Sequence, residues 1–423
     1  MILTKNKPIS ILDYLIVGLV ILNTSSVYSI TVDRDYHLHY LLAFFLLIRL
    51  CFFRSVNSNV LRNYIVFSFV WTAYIVMYAL IAGGDAKALF SRFYVEFLLL
   101  VLYFALYKAK HDLKELLCYY VNIILVLAAI SLFFWLLGSV LGILKPSGSV
   151  LIDWGKDRVI GSYYGLYFQW QNDVRVLGKT IYRNIGLFPE GPIHSLHLSI
   201  AFALEYLGIS STGKTRKIKI LILAVSIVST LATTGVIFVL LSYILEKLIQ
   251  MTSSQKKNRK NILSMLLFPL MAIIAIIVGY RLFAAKLGSL SGASRVDDYI
   301  SGFKAWLDNP AFGAGYGDIS VRVSYSSAYR LSRSNYGYTN SIMKVLDEGG
   351  IYWFSSYVAA IIAIFKNFPQ KNIKVFVLLF VYLFLTTTFE HTTLVVAILA
   401  IGYSSLVLQR RHIRNTEIVK SDR

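Results

Sequence analysis

Apolar runs long enough to cross a bilayer recur along nearly the whole of this 423-residue chain, and they leave it few folds. A stretch of about 18 or more apolar residues can span the ~30 Å hydrocarbon core as a helix. Several runs are that long, and apolar runs in all lie at approximately 9–30, 37–53, 64–82, 93–107, 116–144, 193–210, 218–232, 236–250, 262–283, 350–365, 373–389 and 391–408. They predict an all-α polytopic membrane protein with about 12 transmembrane helices, residues 1–423 forming a single integral membrane domain. Composition agrees: 57% of residues are hydrophobic and 15% charged, against about 25% charged in soluble domains. That excludes a soluble enzyme, a disordered chain and a disulfide scaffold. Cys51 and Cys118, the only cysteines, both lie inside apolar runs. The first run follows Lys5 and Lys7 but lacks an A-x-A-like cleavage site, so an uncleaved helix is expected.

The net charge of +20 would suggest nucleic acid in a soluble protein. Here the basic residues cluster in alternate connections, so the positive-inside rule accounts for them and no nucleic-acid partner is expected. One set holds Arg54 and Arg62, then Lys108, Lys110 and Lys114, then Lys214–Lys219, Lys256–Lys260, Lys366–Lys374 and Arg410–Arg414. The short connections between them, such as 83–92 and 390–391, are nearly free of Lys and Arg. Both termini are therefore expected in the cytoplasm. Residues 218–250 read as one long helix or as a hairpin turning at Thr233-Thr234-Gly235. The hairpin keeps the alternation and is preferred.

Two long connections, 145–192 and 284–340, form the expected outer loops. Their Tyr, Trp, Gly and Arg content argues for order rather than for a floppy linker. Each carries six basic residues against four acidic ones, a net +2 where the rule predicts few positive charges. Long loops translocate despite charge, so a tolerated surface excess explains this blandly. The alternative is an anionic ligand, since Arg makes up half of the first set and most of the second and suits bidentate phosphate contact. In the first loop, Gly186-Leu187-Phe188-Pro189-Glu190-Gly191-Pro192 places Glu190 at a helix start. It is either a partner of the helix dipole or a general base beside a basic pocket. His194 and His197, one turn apart, lack the further ligands a metal site needs and read as packing residues.

The second loop runs through Arg295, Trp306, Asn309-Pro310 and Phe312-Gly313-Ala314-Gly315-Tyr316-Gly317. It then reaches Tyr338-Thr339-Asn340-Ser341 and Asp347-Glu348-Gly349-Gly350. This arrangement resembles the O-antigen ligase and Wzy polymerase superfamily: an Arg, then W-x-x-x-P-x-x-G-x-G, an Asn-containing element and E-x-G at the next helix. Arg183 to Pro192 also resembles the family's segment before its middle helices. The resemblance implies a GT-C-type glycosyltransferase fold in the bacterial inner (plasma) membrane. It implies polymerisation of polyprenyl-diphosphate-linked oligosaccharide units, undecaprenyl being the expected carrier, into O-antigen, capsule or exopolysaccharide at the outer face. No metal, cofactor or nucleotide sugar is implied; membrane lipid and a chain-length regulator are the candidate partners. Arg295 and Arg183, with Arg158 and Arg175 behind them, are the candidates to hold the diphosphate. Glu190 would orient or deprotonate the acceptor hydroxyl, and Tyr338 and Asn340 would contact sugar or phosphate.

Two departures favour polymerase over ligase. Ligases of the superfamily usually carry a His where Thr339 stands, and often a Ser-Arg-like element where Thr233-Thr234-Gly235 stands. A lipid-linked oligosaccharide flippase or other transporter is the alternative from another class. It would place ionisable residues at span centres, and here only Glu96 and Glu205 come near them.

Overall fold

A computed structural model describes residues 7–31, 37–53, 57–154, 157–171, 174–176, 179–210, 213, 215–253, 277, 281, 290–332 and 336–408. In chain order the helices are α1 (Lys7–Leu22), α2 (His37–Cys51), α3 (Ser58–Ala82), α4 (Ala86–Lys110) and α5 (Lys114–Val140). After the first loop come α6 (Gly191–Tyr206), α7 (Arg216–Ser229) and α8 (Thr233–Ser253). The second loop holds α9 (Leu290–Asp308), α10 (Ser320–Tyr325) and α11 (Ala328–Leu331), and α12 (Ser341–Asn367), α13 (Lys371–Thr386) and α14 (Thr393–Leu408) follow. Every expected apolar run contains a helix except 262–283, which lies almost wholly outside the described residues. Both chain ends lie outside them too. Among the described residues, four helices (α3, α4, α5 and α12) are long and apolar enough to cross a membrane. Exposed apolar side chains such as Ile65, Phe69 and Leu80 coat α3, as lipid-facing helices require.

The helix ends sort into two sets. At one end Asn63 Nδ2 donates to the Val407 carbonyl, Asn372 Nδ2 to the Leu207 carbonyl, and Lys108 sits 4.2 Å over the Phe368 ring. This end carries the basic connections, and there Arg49 and Tyr103 are bonded to Asp13. At the other end Val27 bonds Leu187, Asp153 bonds Ile30, and Thr387 receives bonds from Ser341. Both long loops gather there. Residues 218–250 form two helices: Leu231 takes a left-handed φ of 52° between α7 and α8, just ahead of the expected turn.

The first loop corrects the all-α expectation. It contains antiparallel strands β1 (Gly148–Asp153), β2 (Asp157–Tyr163) and β3 (Tyr167–Gln169) in the order β1-β2-β3, and a separate pair, β4 (Val174–Val176) with β5 (Lys179–Ile181). β1 pairs with β2 from Gly148 with Ser162 to Asp153 with Asp157. Ile152, Ile160 and Phe168 point inward onto Val27, Ile185 and Leu187, an alternation that a half-buried sheet demands.

The second loop grips a broken helix. Gly350 leaves helical geometry at φ 56° inside α12, freeing carbonyls and amides that no water could satisfy in an apolar setting. Residues 309–317 repair the gap. Ala314 and Gly315 amides donate to the Asp347 and Glu348 carbonyls at 2.8 and 2.9 Å, and Ile351 and Tyr352 amides donate to Pro310 and Ala311, both at 2.9 Å. A Cβ on Gly313 would lie 2.4 Å from the Glu348 carbonyl carbon, and its φ is +69°. Gly313→Ala is therefore expected to destabilise the protein by about 1–3 kcal/mol, read as a lowered melting temperature of the purified protein.

Candidate functional site

Glu190, at the end of the first loop, feels charges from both loops. It takes extended geometry (φ −156°, ψ 158°) as the N-cap of α6, with Pro192 in the first turn, and its side chain does not cap the helix. Burial is the largest influence on its carboxyl and pushes the pKa above the ordinary 4.5. Trp154 donates a hydrogen bond that pulls the other way, as do the charges of Arg183, Arg295 and Arg158. Three of the four arginines expected to hold an anion thus act electrostatically on one carboxyl. The backbone of the fourth, Arg175, lies in β4, and its side chain falls outside the described residues.

Each neighbour has its own support. Arg158 lies 4.6 Å over the Trp170 ring, and the Trp170 indole donates to the Pro189 carbonyl. Gln171 accepts from the Gly191 amide at 3.0 Å and, through its carbonyl, from the Arg183 amide at 2.8 Å. The Arg183 side chain runs alongside Gly191, where a Cβ would stand 3.4 Å from its Cδ and 2.7 Å from the Thr230 carbonyl oxygen. Arg295, on α9, donates through Nη1 to the Thr386 carbonyl at 2.7 Å, at the end of α13. Its buried Nε has no partner. Burial lowers the Arg295 pKa from its ordinary value, opposed by Tyr382, Glu190 and Asp298.

The remaining candidates have internal partners. Tyr338 is buried, donates to Asp347 Oδ2 at 2.7 Å and lies 4.2 Å beneath Arg322. Asn340 caps α12 by accepting from the Met343 amide at 2.9 Å, although its Nδ2 has no partner. Behind them Asp298, fully buried, accepts from Arg322 at 2.5 Å and from Arg330. It also takes the Thr339 amide at 2.8 Å and the Thr339 hydroxyl at 2.5 Å. Arg322 and Arg330, counted above among the loop's excess positive charge, are thus internal counter-ions. His194 Nδ1 lies 3.2 Å from the Asn184 carbonyl and His197 Nδ1 3.0 Å from the Tyr120 hydroxyl. Among the described residues no group of three His, Cys, Asp or Glu side chains could hold a metal.

A second charged centre escaped the sequence reading. Glu348 Oε2 lies 2.9 Å from His391 Nε2, and Lys344 Nζ lies 2.8 Å from Glu390 Oε1 and 3.9 Å from Glu348 Oε1. Arg92 Nη1 donates to the His391 carbonyl at 2.8 Å, and the Tyr316 ring stacks on His391 at 4.3 Å. Glu390-His391 had read only as a short connection poor in positive charge. The E-x-G element marked Glu348 but nothing nearby in sequence marked its partners. Toward the end that carries the basic connections, an apolar cavity of about 160 Å³ is lined by Leu113, Tyr120, Ile209, Phe368, Ile373 and Phe380 among others. Comparison with known proteins finds no matching family model, no similar curated protein and no similar solved structure.

Proposed function

We propose that this protein is a membrane glycosyltransferase that joins lipid-diphosphate-linked oligosaccharide units into a surface polysaccharide. Its about 12 spans would place both termini in the cytoplasm of a bacterial cell and both long loops outside. One observation carries the reading: the positive charges of Arg158 and Arg183 in one loop and of Arg295 in the other, far apart in sequence, all act on the Glu190 carboxyl. Three guanidiniums around a carboxylate form an anion site with a resident counter-charge. A diphosphate fits it, since guanidinium forks match phosphate oxygens and stabilise the charge a leaving diphosphate develops. The bond from the sugar's anomeric carbon to the diphosphate oxygen breaks, and its electron pair leaves with the diphosphate. The acceptor hydroxyl oxygen forms the new bond.

Glu190 balances the arginines before the diphosphate arrives, and this gives the site a pH signature. Protonation removes one negative charge beside the anion, and burial moves that event above the ordinary carboxylate range. At neutral pH Glu190→Gln should bind inorganic diphosphate more tightly than wild type, by about tenfold, the effect of ~1.4 kcal/mol. As pH falls through the raised pKa, the wild-type carboxyl protonates and the gap closes. Calorimetric titration of both proteins across pH checks this, and a constant gap removes Glu190 from the anion site.

A transporter reading draws on the buried His39–Glu96 contact at 2.8 Å in the helices. Gene deletion separates the two. Loss of a polymerase leaves single repeat units on the lipid or cell surface, whereas loss of a flippase traps them inside. Trapped units would overturn the polymerase.

A further inference from the structure

Four irregular backbone segments converge on the second charged centre, which the reading above leaves unused. A π turn in α4 (Phe90–Glu96) carries Arg92, and the break in α12 follows Glu348. The glycine loop carries Tyr316, and the turn between α13 and α14 carries Glu390 and His391. π turns recur at functional sites, and irregular backbone at membrane depth needs protein or a polar cavity around it. A cluster serving only to hold the fold pairs its polar atoms, as the Asp298 carboxylate does with its two arginines and Thr339. Here Glu348 and Glu390 are each only 1% exposed. Yet among the described residues Glu390 Oε2 has no partner, and the 2.9 Å contact between His391 Nε2 and Glu348 Oε2 is not aligned as a hydrogen bond. Access remains, because the side chains of Lys344 and His391 are 22% and 12% exposed.

We infer that His391 and Glu348 form an acid–base pair that receives the proton of an acceptor sugar hydroxyl. This rests on the glycosyl-transfer reading. The negative charge of Glu348, 2.9 Å from Nε2, favours the tautomer with its proton there even without an aligned hydrogen bond, which leaves Nδ1 with a lone pair. As the hydroxyl oxygen bonds to the anomeric carbon, its proton passes to Nδ1, while the electron pair of the broken bond departs on the diphosphate. Glu348 stabilises the imidazolium that forms. The charged and titratable groups facing the pair are Arg92, Tyr316, Asp318, Lys344, Tyr357 and Glu390, and the Lys344–Glu390 contact cancels one charge of each sign. Arg295 is tied to Thr386, five residues before His391, so at most about 18 Å of extended chain separates the two anchor points.

The test uses full-length protein in lipid nanodiscs with a lipid-diphosphate-linked repeat unit as both donor and acceptor. His391→Gln and Glu348→Gln should each slow single-turnover transfer by about 100-fold or more, with donor affinity kept within about twofold. The acid limb of the wild-type pH–rate profile should vanish in His391→Gln. Added imidazole should restore rate to His391→Ala, a response that a merely structural histidine would not give. Transfer by His391→Gln within about threefold of wild type, with the acid limb intact, overturns the inference, and so does His391→Ala that imidazole leaves unchanged. If Arg183 and Arg295 variants also transfer normally, the glycosyl-transfer reading falls with it; if they do not, only this pair is dismissed.

Discussion

Arg295→Ala and Arg183→Ala are each expected to leave cells with single repeat units in place of polymer, at normal levels of folded protein. The purified variants should transfer about 100- to 1000-fold more slowly, the usual cost of removing one donor to a developing oxyanion. Both guanidiniums act on the same Glu190 carboxylate, so each variant leaves a site that still contains two of the three cations described around it. Arg295→Lys should recover little, because a single ammonium cannot keep the Thr386 carbonyl and also present a flat fork to a phosphate. Losing the Thr386 bond also costs stability, by about 1.5–3 kcal/mol for a charged donor. Melting curves alongside activity therefore separate the two effects. A full-length polymer ladder from Arg295→Ala would remove that residue from the mechanism.

A larger effect on folding is expected from Asp298→Ala. Arg322 and Arg330 are both completely buried, and both donate to this carboxylate. Removing the acceptor strands two guanidiniums in the interior. Breaking one buried ion pair costs about 3–5 kcal/mol, a large part of the roughly 5–15 kcal/mol that holds a typical native state. Asp298→Ala should yield little protein surviving detergent extraction, measured by size-exclusion profile and thermal melting. The combined replacement of Asp298, Arg322 and Arg330 by Met or Leu should recover most of the loss, because apolar residues of similar volume need no counter-charge. Equal instability in the triple variant would show that the loop depends on the charges themselves.

Much of the helical frame was legible because periodic apolarity is a local property, and each helix declares itself without its neighbours. The two basic-rich loops stood out for the same reason, as did Glu190 between Pro189 and Gly191. The hairpin strands of the first loop were not legible. Their alternation is short, and Tyr163, Tyr167 and Phe168 look as apolar as the spans around them. Arg322 and Arg330 could not be told from Arg183 and Arg295 by sequence, since what sorts them is a buried carboxylate more than twenty residues away. Tyr338 and Asn340 carried polar groups at the right place, but their partners, Asp347 and the Met343 amide, emerge only once α12 is formed. The glycines at 313 and 315 were visible as part of a motif; that their backbone closes on a broken helix was not.

The Asp298 clamp and the Glu190 centre differ in one consequential way. Asp298, Arg322 and Arg330 have no contact with solvent, so dissolved ions cannot gather around them. The arginines about Glu190 line a partly open surface, where a Debye length of about 8 Å at physiological ionic strength shrinks to about 3 Å at 1 M. Concentrated sodium chloride would then strip an anionic guest from the proposed site while leaving the two long loops folded.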